Sequence, residues 1–268
     1  MSNERKEVKM QIQLDGKSAL VCGSSAGIGL ECARAIAGLG AQVTLCARNE
    51  TDLDAALETL PGTGHSRIVA DFDQPEQLSA AVQSHIDDHG GFAILVNNSG
   101  GPPGGPIFAA DSDEFLTAIQ RHVVGNHRLA QLVVPGMKEN GYGRIVNIIS
   151  TSVREPISNL GVSNTTRGAV ASWAKTLSKE LGPDGITVNS VLPGFTDTAR
   201  LTLLMEKRAA AQGTTAQQVA SDWIDSIPLG RFAAAEEIGT VVAFLCSPAA
   251  SYISGVCLPV DGGRLNVI

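Results

Sequence analysis

The chain has 268 residues, 43% hydrophobic and 18% charged, a balance that excludes a disordered segment and suits one folded α/β unit. Twenty Lys and Arg stand against 27 Asp and Glu, and the formal charge of −7 argues against nucleic acid or an anionic membrane surface as partner. Five cysteines without CxxC spacing indicate neither disulfides nor a zinc site, and no apolar run reaches the roughly 18 residues of a membrane-spanning helix. In chain order, the charged segment 1–14 lacks the apolar stretch of a secretory signal, so the expected compartment is the cytoplasm. Short apolar, β-rich runs then predict strands over 18–22, 42–46, 67–70, 93–97, 144–149, 187–192 and 256–260. Between them, helical spacing predicts helices over 28–39, 51–60, 75–89, 113–139, 167–181 and 235–246.

Alternation of strand and helix requires crossovers between parallel strands. The predicted architecture is therefore a doubly wound, Rossmann-type sheet of seven parallel strands with helices on both faces, in a single domain over 1–268. Two stretches break the rhythm. Residues 100–106, GGPPGGP, follow the fourth strand and must form a loop. Residues 196–228, with two short helical patterns, are longer than an ordinary connection and read as a substrate lid or wall.

The first strand runs into Gly23-Ser24-Ser25-Ala26-Gly27-Ile28-Gly29 and then a helix. Glycines allow the tight turn, and a helix N-terminus offers unpaired N–H groups to a pyrophosphate; the bland alternative is a structural strand-to-helix turn. Further along stand Asn97-Asn98-Ser99-Gly100 after the fourth strand, Pro193-Gly194-Phe195-Thr196-Asp197-Thr198 after the sixth, and Asp261-Gly262-Gly263 near the end. Together these resemble, over nearly the whole chain, the TGxxxGxG, NNAG, PGxxxT and DGG motifs of the short-chain dehydrogenase/reductases, in particular the 3-oxoacyl-carrier-protein reductases. The resemblance implies a nicotinamide dinucleotide with Gly23, Ser25, Gly27 and Ile28 along the adenosine phosphates and Asp71 and Phe72 at the adenine. It places Asn98, Ser99 and Gly100 beside the nicotinamide ribose, and Pro193, Gly194, Thr196 and Thr198 at the carboxamide. The NAD-selecting acidic position after the second strand is Ala47, and Arg48 follows it where it can neutralise a 2′-phosphate. NADP is the expected cofactor and NAD the alternative; Arg48 as a plain solvated arginine is the competing reading.

The family's proton chemistry uses a Tyr-x-x-x-Lys pair, a serine about thirteen residues before the tyrosine, and an asparagine on the preceding long helix. Here Ser150 matches the serine, but Ser163 and Arg167 stand at the tyrosine and lysine positions, and His122 at that of the asparagine, with Asn126 one turn further on. A serine hydroxyl is a far weaker acid than a phenol of pKa about 10, and arginine is a poor proton donor. Arg167 can still grip the ribose. His122, with a reference pKa of about 6.5, is a candidate acid or base near neutral pH or else a hydrogen-bonded helix residue. Arg121 and His127 read as surface or interface groups. Tyr142 and Tyr252 match positions that the family uses structurally.

Two main functions follow. The first is an NAD(P)-dependent oxidoreductase that moves a hydride between the nicotinamide and a small carbonyl or alcohol substrate through the altered set Ser150, Ser163, Arg167 and His122. The second is a catalytically reduced dinucleotide-binding sensor or partner subunit; a lyase or isomerase on the same fold is a third, weaker one. The resemblance also implies a homotetramer or homodimer joined through the helices at 113–139 and 167–181 and the last strand, with Phe232, Val256 and Leu258 suited to such contacts or else plain core residues.

Overall fold

The computed structural model describes residues 10–267. The first nine residues of the segment on which the compartment was judged lie outside them. Seven strands build one sheet: β1 (Ser18–Cys22), β2 (Gln42–Ala47), β3 (Ser66–Val69), β4 (Ile94–Asn97), β5 (Gly143–Ile148), β6 (Ile186–Pro193) and β7 (Cys257–Val260). Their order is β3-β2-β1-β4-β5-β6-β7, and every neighbouring pair is parallel. The strands β1, β5 and β6 are buried almost throughout, as expected where helices cover both faces.

The helices are α1 (Gly27–Gly38), α2 (Glu50–Leu57), α3 (Pro75–His89), α4 (Ser112–Ile119), α5 (Gly125–Glu139), α6 (Gly161–Leu181), α7 (Ala199–Gln212), α8 (Ala216–Asp225) and α9 (Ala235–Cys246). Gly29, Cys32, Ala33 and Ile36 make a buried stripe along α1 at helical spacing. One core gathers Ile36, Leu45, Leu53, Ile94, Ile238 and Val242 between the sheet and α1, α2 and α9. The other holds Leu20, Leu78, Leu129, Met137, Ile145 and Ile186 between the sheet and α3, α5 and α6.

Two predicted helices differ from those observed by more than their end residues or last turn. The stretch 113–139 is interrupted by a π-helical segment, Gln120–Val124, between α4 and α5. Such an extra residue in a helix commonly marks a functional position, and His122 lies in it. Helix α6 starts at Gly161, six residues before the predicted start. The Thr and Asn residues of its first turns argue against helix by propensity, but here their side chains are locally satisfied. The Thr165 and Thr166 hydroxyls donate to the carbonyls of Gly161 and Val162, and Asn164 Nδ2 donates to Ile157 O.

A buried chain of amides crosses the sheet. Asn97 Nδ2 on β4 donates to Asn147 Oδ1 on β5 at 2.9 Å, Asn147 Nδ2 donates to Asn189 O on β6 at 3.2 Å, and Asn189 Nδ2 donates to Ile253 O at 2.7 Å. Among the described residues no helix is long and apolar enough to cross a membrane.

Candidate active site

The strand order reverses between β1 and β4, where the chain leaves β3 at one edge and returns to the other side of β1. In sheets of this kind ligands sit beyond the carboxyl ends of the strands at that point. The glycine loop follows β1 there, and Asn98 follows β4. Asn98 Nδ2 donates to Gly23 O at 3.1 Å, which joins the two strand ends. Gly23 and Gly27 adopt φ of +58° and +56°, the left-handed region that favours glycine. A Cβ on Gly29 would lie 2.1 Å from Gly23 O, and one on Gly27 would face Thr198 Cγ2 at 3.5 Å. Gly29 thus packs on the Gly23 backbone too closely for any side chain, and Gly27 is called for by its positive φ and not by lack of space.

Beneath the loop, Ser24 Oγ donates to Val21 O at 2.7 Å and accepts from Cys46 N at 3.0 Å, which pins it to β1 and β2. Ala26 stands at the N-cap of α1 and has no side-chain hydrogen bond to offer. By contrast, Asn49, Thr198 and Thr215 accept from the first turns of α2, α7 and α8. As in α3, α4 and α6, no side chain caps these first N–H groups, which form the kind of donor set that binds an anion at a helix start.

Across the cleft, Pro193 closes β6. Gly194 allows Asp261 of the DGG segment to pack against it, since a Cβ there would lie 2.7 Å from Asp261 Cα. Thr196 is buried, and its hydroxyl donates to Gly194 O at 3.2 Å. Thr198 caps α7. Beyond β3 Phe72 is buried and Asp71 Oδ1 accepts from Asp73 N, and Arg48 is exposed at the end of β2. Ser25 and Ile28, at the start of α1, are half-buried in the loop wall. The described residues contain no cluster of three or more His, Cys, Asp or Glu able to hold a metal, and the five cysteines are free thiols.

At the other end of the cleft, His122 is only 1% exposed and shares a 2.8 Å hydrogen bond between its Nδ1 and Ser99 Oγ, while its buried Nε2 has no partner in the protein. Burial, with the positive charges of Arg167, Arg121 and Arg200, lowers its pKa to about 2. Of the two readings the sequence left open, the hydrogen bond to Ser99 and the lowered pKa favour the hydrogen-bonded helix residue over an acid or base near neutral pH, and burial beside three arginines is the reason. Arg121 is likewise not a free surface group. Its guanidinium pairs with Asp73 and donates to Gly100 O at 3.0 Å, so it ties the loop after β3 to the loop after β4.

Arg167 is buried on α6, and its Nη1 donates to Ile148 O at 3.0 Å, at the end of β5 just before Ser150. Burial and the nearby Arg200 and Arg121 lower its pKa to about 10. Ser163 lies one helical turn before it on the same face, half-buried, and Ser150 Oγ accepts from Ser152 N at 3.1 Å. Tyr142 is bound elsewhere, its hydroxyl donating to Cys246 O at 2.6 Å before β5, and Tyr252 is fully exposed ahead of β7. A concavity of about 530 Å³ lies behind the start of α6, between Ile107, Pro156, Ile157 and Asn164, and Ser163 and Arg167 do not line it.

Sequence reasoning missed Arg200. It sits at the rim in the first turn of α7, and its Nη2 donates to Pro102 O at 3.1 Å in the GGPPGGP loop. Its position two residues beyond the PGxxxT motif was the available hint.

A family model described as enoyl-(acyl carrier protein) reductase matches residues 23–264. The chain belongs to the short-chain dehydrogenase/reductases. Among members of known description, it is 34% identical over 257 residues to a 3-oxoacyl-[acyl-carrier-protein] reductase of Pseudomonas aeruginosa, covering 94% of this chain and 98% of that one. It is 31% identical over 256 residues to a putative ketoacyl reductase of Streptomyces coelicolor, with 94% and 98% covered. The solved L-sorbose reductase of Gluconobacter frateurii, complexed with NADPH and L-sorbose, superposes with a TM-score of 0.90 at 32% identity over 97% of this chain and 100% of that one. An actinorhodin polyketide ketoreductase with NADPH gives 0.88 at 30% identity, with 94% and 98% covered. The short-chain dehydrogenase/reductase fold accounts for the strand order and for the side of the sheet on which the cleft opens.

Proposed function

We propose that the protein is an NADP-dependent reductase or dehydrogenase that moves a hydride between the nicotinamide and a carbonyl or alcohol substrate through an atypical set of Ser150, Ser163, Arg167 and His122. The observation that carries this reading is the glycine loop: an uncapped α1, Gly23 and Gly29 without room for side chains, Gly27 at positive φ, and Asn98 and Thr198 facing them. Gly23, Ser25, Gly27 and Ile28 would hold the phosphates, Asp71 and Phe72 the adenine, and Asn98, Ser99, Gly100 and Arg167 the nicotinamide ribose. Pro193, Gly194, Thr196 and Thr198 would hold the carboxamide. NADP over NAD is supported by Arg48 at the end of β2, by the absence of a carboxylate at Ala47, and by the relatives solved with NADPH. When bound, the cofactor supplies or accepts the hydride. Ser150 and Ser163 offer hydroxyl donors to the substrate oxygen, and the fixed positive charge of Arg167 favours the alkoxide that develops there. His122, held neutral by its surroundings, orients Ser99 and leaves Nε2 for a relay of protons, and does not act as an imidazolium acid.

The segment 196–228, with α7 and α8, is the lid or substrate wall of this reading. Two or four copies joined through α5, α6 and β7 complete it. Relatives named as reductases weigh against the sensor or partner-subunit alternative.

Fluorescence titration tests binding: NADPH is expected to saturate, more tightly than NADH, and Gly29→Ala is expected to abolish the signal. No saturable signal with either nucleotide at millimolar concentration overturns the proposal. Steady-state reduction of a panel of ketones and quinones tests turnover, which the joint change Ser163→Tyr with Arg167→Lys is expected to raise. If NADPH binds but every substrate stays at background in both proteins, the sensor reading replaces this one.

A further inference from the structure

Three arginines from three elements converge at the nicotinamide end of the cleft, and only one is neutralised. Arg121 has Asp73. Among the described residues neither Arg167 nor Arg200 pairs with a carboxylate; their guanidinium groups donate only to the carbonyls of Ile148 and Pro102. Gly101 lies between them. The point where a Cβ would project from Gly101 is 3.1 Å from Arg200 Nη2 and 3.7 Å from Arg167 Nη2, so the two nitrogens lie within about 7 Å of each other beside a residue that puts no side chain between them.

We propose that Arg167 and Arg200 form an oxyanion subsite that selects carbonyl substrates bearing a carboxylate; this rests on the reductase reading above and names its substrate class. Arg167 is buried and Arg200 is exposed at the rim, and two uncompensated cations close together repel each other. The pKa of each is lowered from the ordinary arginine value, by burial first and by neighbouring arginines next. A bound anion relieves both effects, and planar guanidinium groups match the paired oxygens of a carboxylate. The competing source of such an oxyanion is the cofactor's own diphosphate. Position favours the substrate: the diphosphate has the uncapped start of α1, whereas Arg167 hangs from the end of β5 beside Ser150, one turn after Ser163. The protein's net charge of −7 also makes this local positive pair the exception on an otherwise acidic molecule.

The test is calorimetric binding to the free and to the NADPH-saturated protein. The probes are oxohexanoates with the ketone at each chain position from next to the carboxylate to the penultimate carbon, each paired with its methyl ester. At least one acid is expected to bind about tenfold or more tighter than its ester, the worth of a charge-assisted contact. Arg200→Gln is expected to erase that preference and Arg200→Lys to keep part of it, with NADPH affinity within about threefold of wild type in both. Equal binding of acid and ester in every pair overturns the subsite. So does an Arg200→Gln protein that loses NADPH affinity by the same factor as acid affinity, because Arg200 then serves the diphosphate. Since the readout is binding, an acid preference without turnover sinks the reductase reading and leaves the subsite standing.

Discussion

His122 shows how far a residue's surroundings can carry it from its reference chemistry. Its folded pKa, about 2, lies below the ordinary 6.5, so as pH falls the unfolded chain takes up this proton first. Stability tied to His122 is therefore complete above about pH 6.5 and is lost progressively as pH falls toward 2. Between pH 6.5 and 5 the loss from this one group is about 2 kcal/mol. His122→Asn, which keeps a polar partner for Ser99, is expected to show a smaller drop in urea midpoint between pH 7 and pH 5 than wild type. Equal drops in the two proteins would show that the imidazole titrates normally. The glycine loop, Asn98 and Thr198 were legible in the sequence because each sits inside a local motif at the end of a strand. Arg200 and the pairing of Arg121 with Asp73 were not, because each joins segments far apart in the chain: Arg200 reaches Pro102, and Arg121 reaches Asp73 and Gly100.

At the level of elements, the strands were readable because both faces are buried and their apolar runs are continuous. The helices were readable where a stripe repeats, as in α1 and α3. What the stripe could not announce was the π segment at Gln120–Val124, since one extra residue shifts the phase without changing which residues are apolar. The early start of α6 was hidden because Asn164, Thr165 and Thr166 are weak helix formers, and it is the buried face of Val162, Thr166, Arg167 and Val170 that holds these turns. The region over 196–228 forms two helices, and an aromatic stack fastens the second to the body. Phe195 and Trp223 stack at 4.5 Å with rings 6° apart, and Phe232 meets Phe195 edge-on. Such a pair is worth about 0.5–1.5 kcal/mol beyond its buried area. Trp223→Ala is expected to speed proteolytic cleavage within 199–225 and raise KM, while the global unfolding midpoint stays nearly unchanged. A wild-type cleavage rate would detach this stack from the hold on α8.

Across the whole molecule, the two apolar cores set the layers, but the polar chain through Asn97, Asn147 and Asn189 sets how β4, β5 and β6 lie against one another. Asn147→Ala leaves Asn97 Nδ2 buried without its acceptor, a cost of about 1–3 kcal/mol. It is expected to lower the unfolding free energy by that amount, read as a lower urea midpoint at unchanged slope, and to weaken NADPH binding as well. A loss of stability with NADPH affinity intact would show that the strand ends hold their places without the amides. Sliding any of these strands by one residue would turn its side chains to the opposite face, so the amide chain forbids the slip as firmly as the cores do. Asn98 comes one residue after Asn97, Ser150 three after Asn147, and Pro193 four after Asn189. The chain of amides therefore works as a fixed datum for the cleft floor, and the loops above it are free to be rebuilt for a new substrate without disturbing the level from which the chemistry is measured.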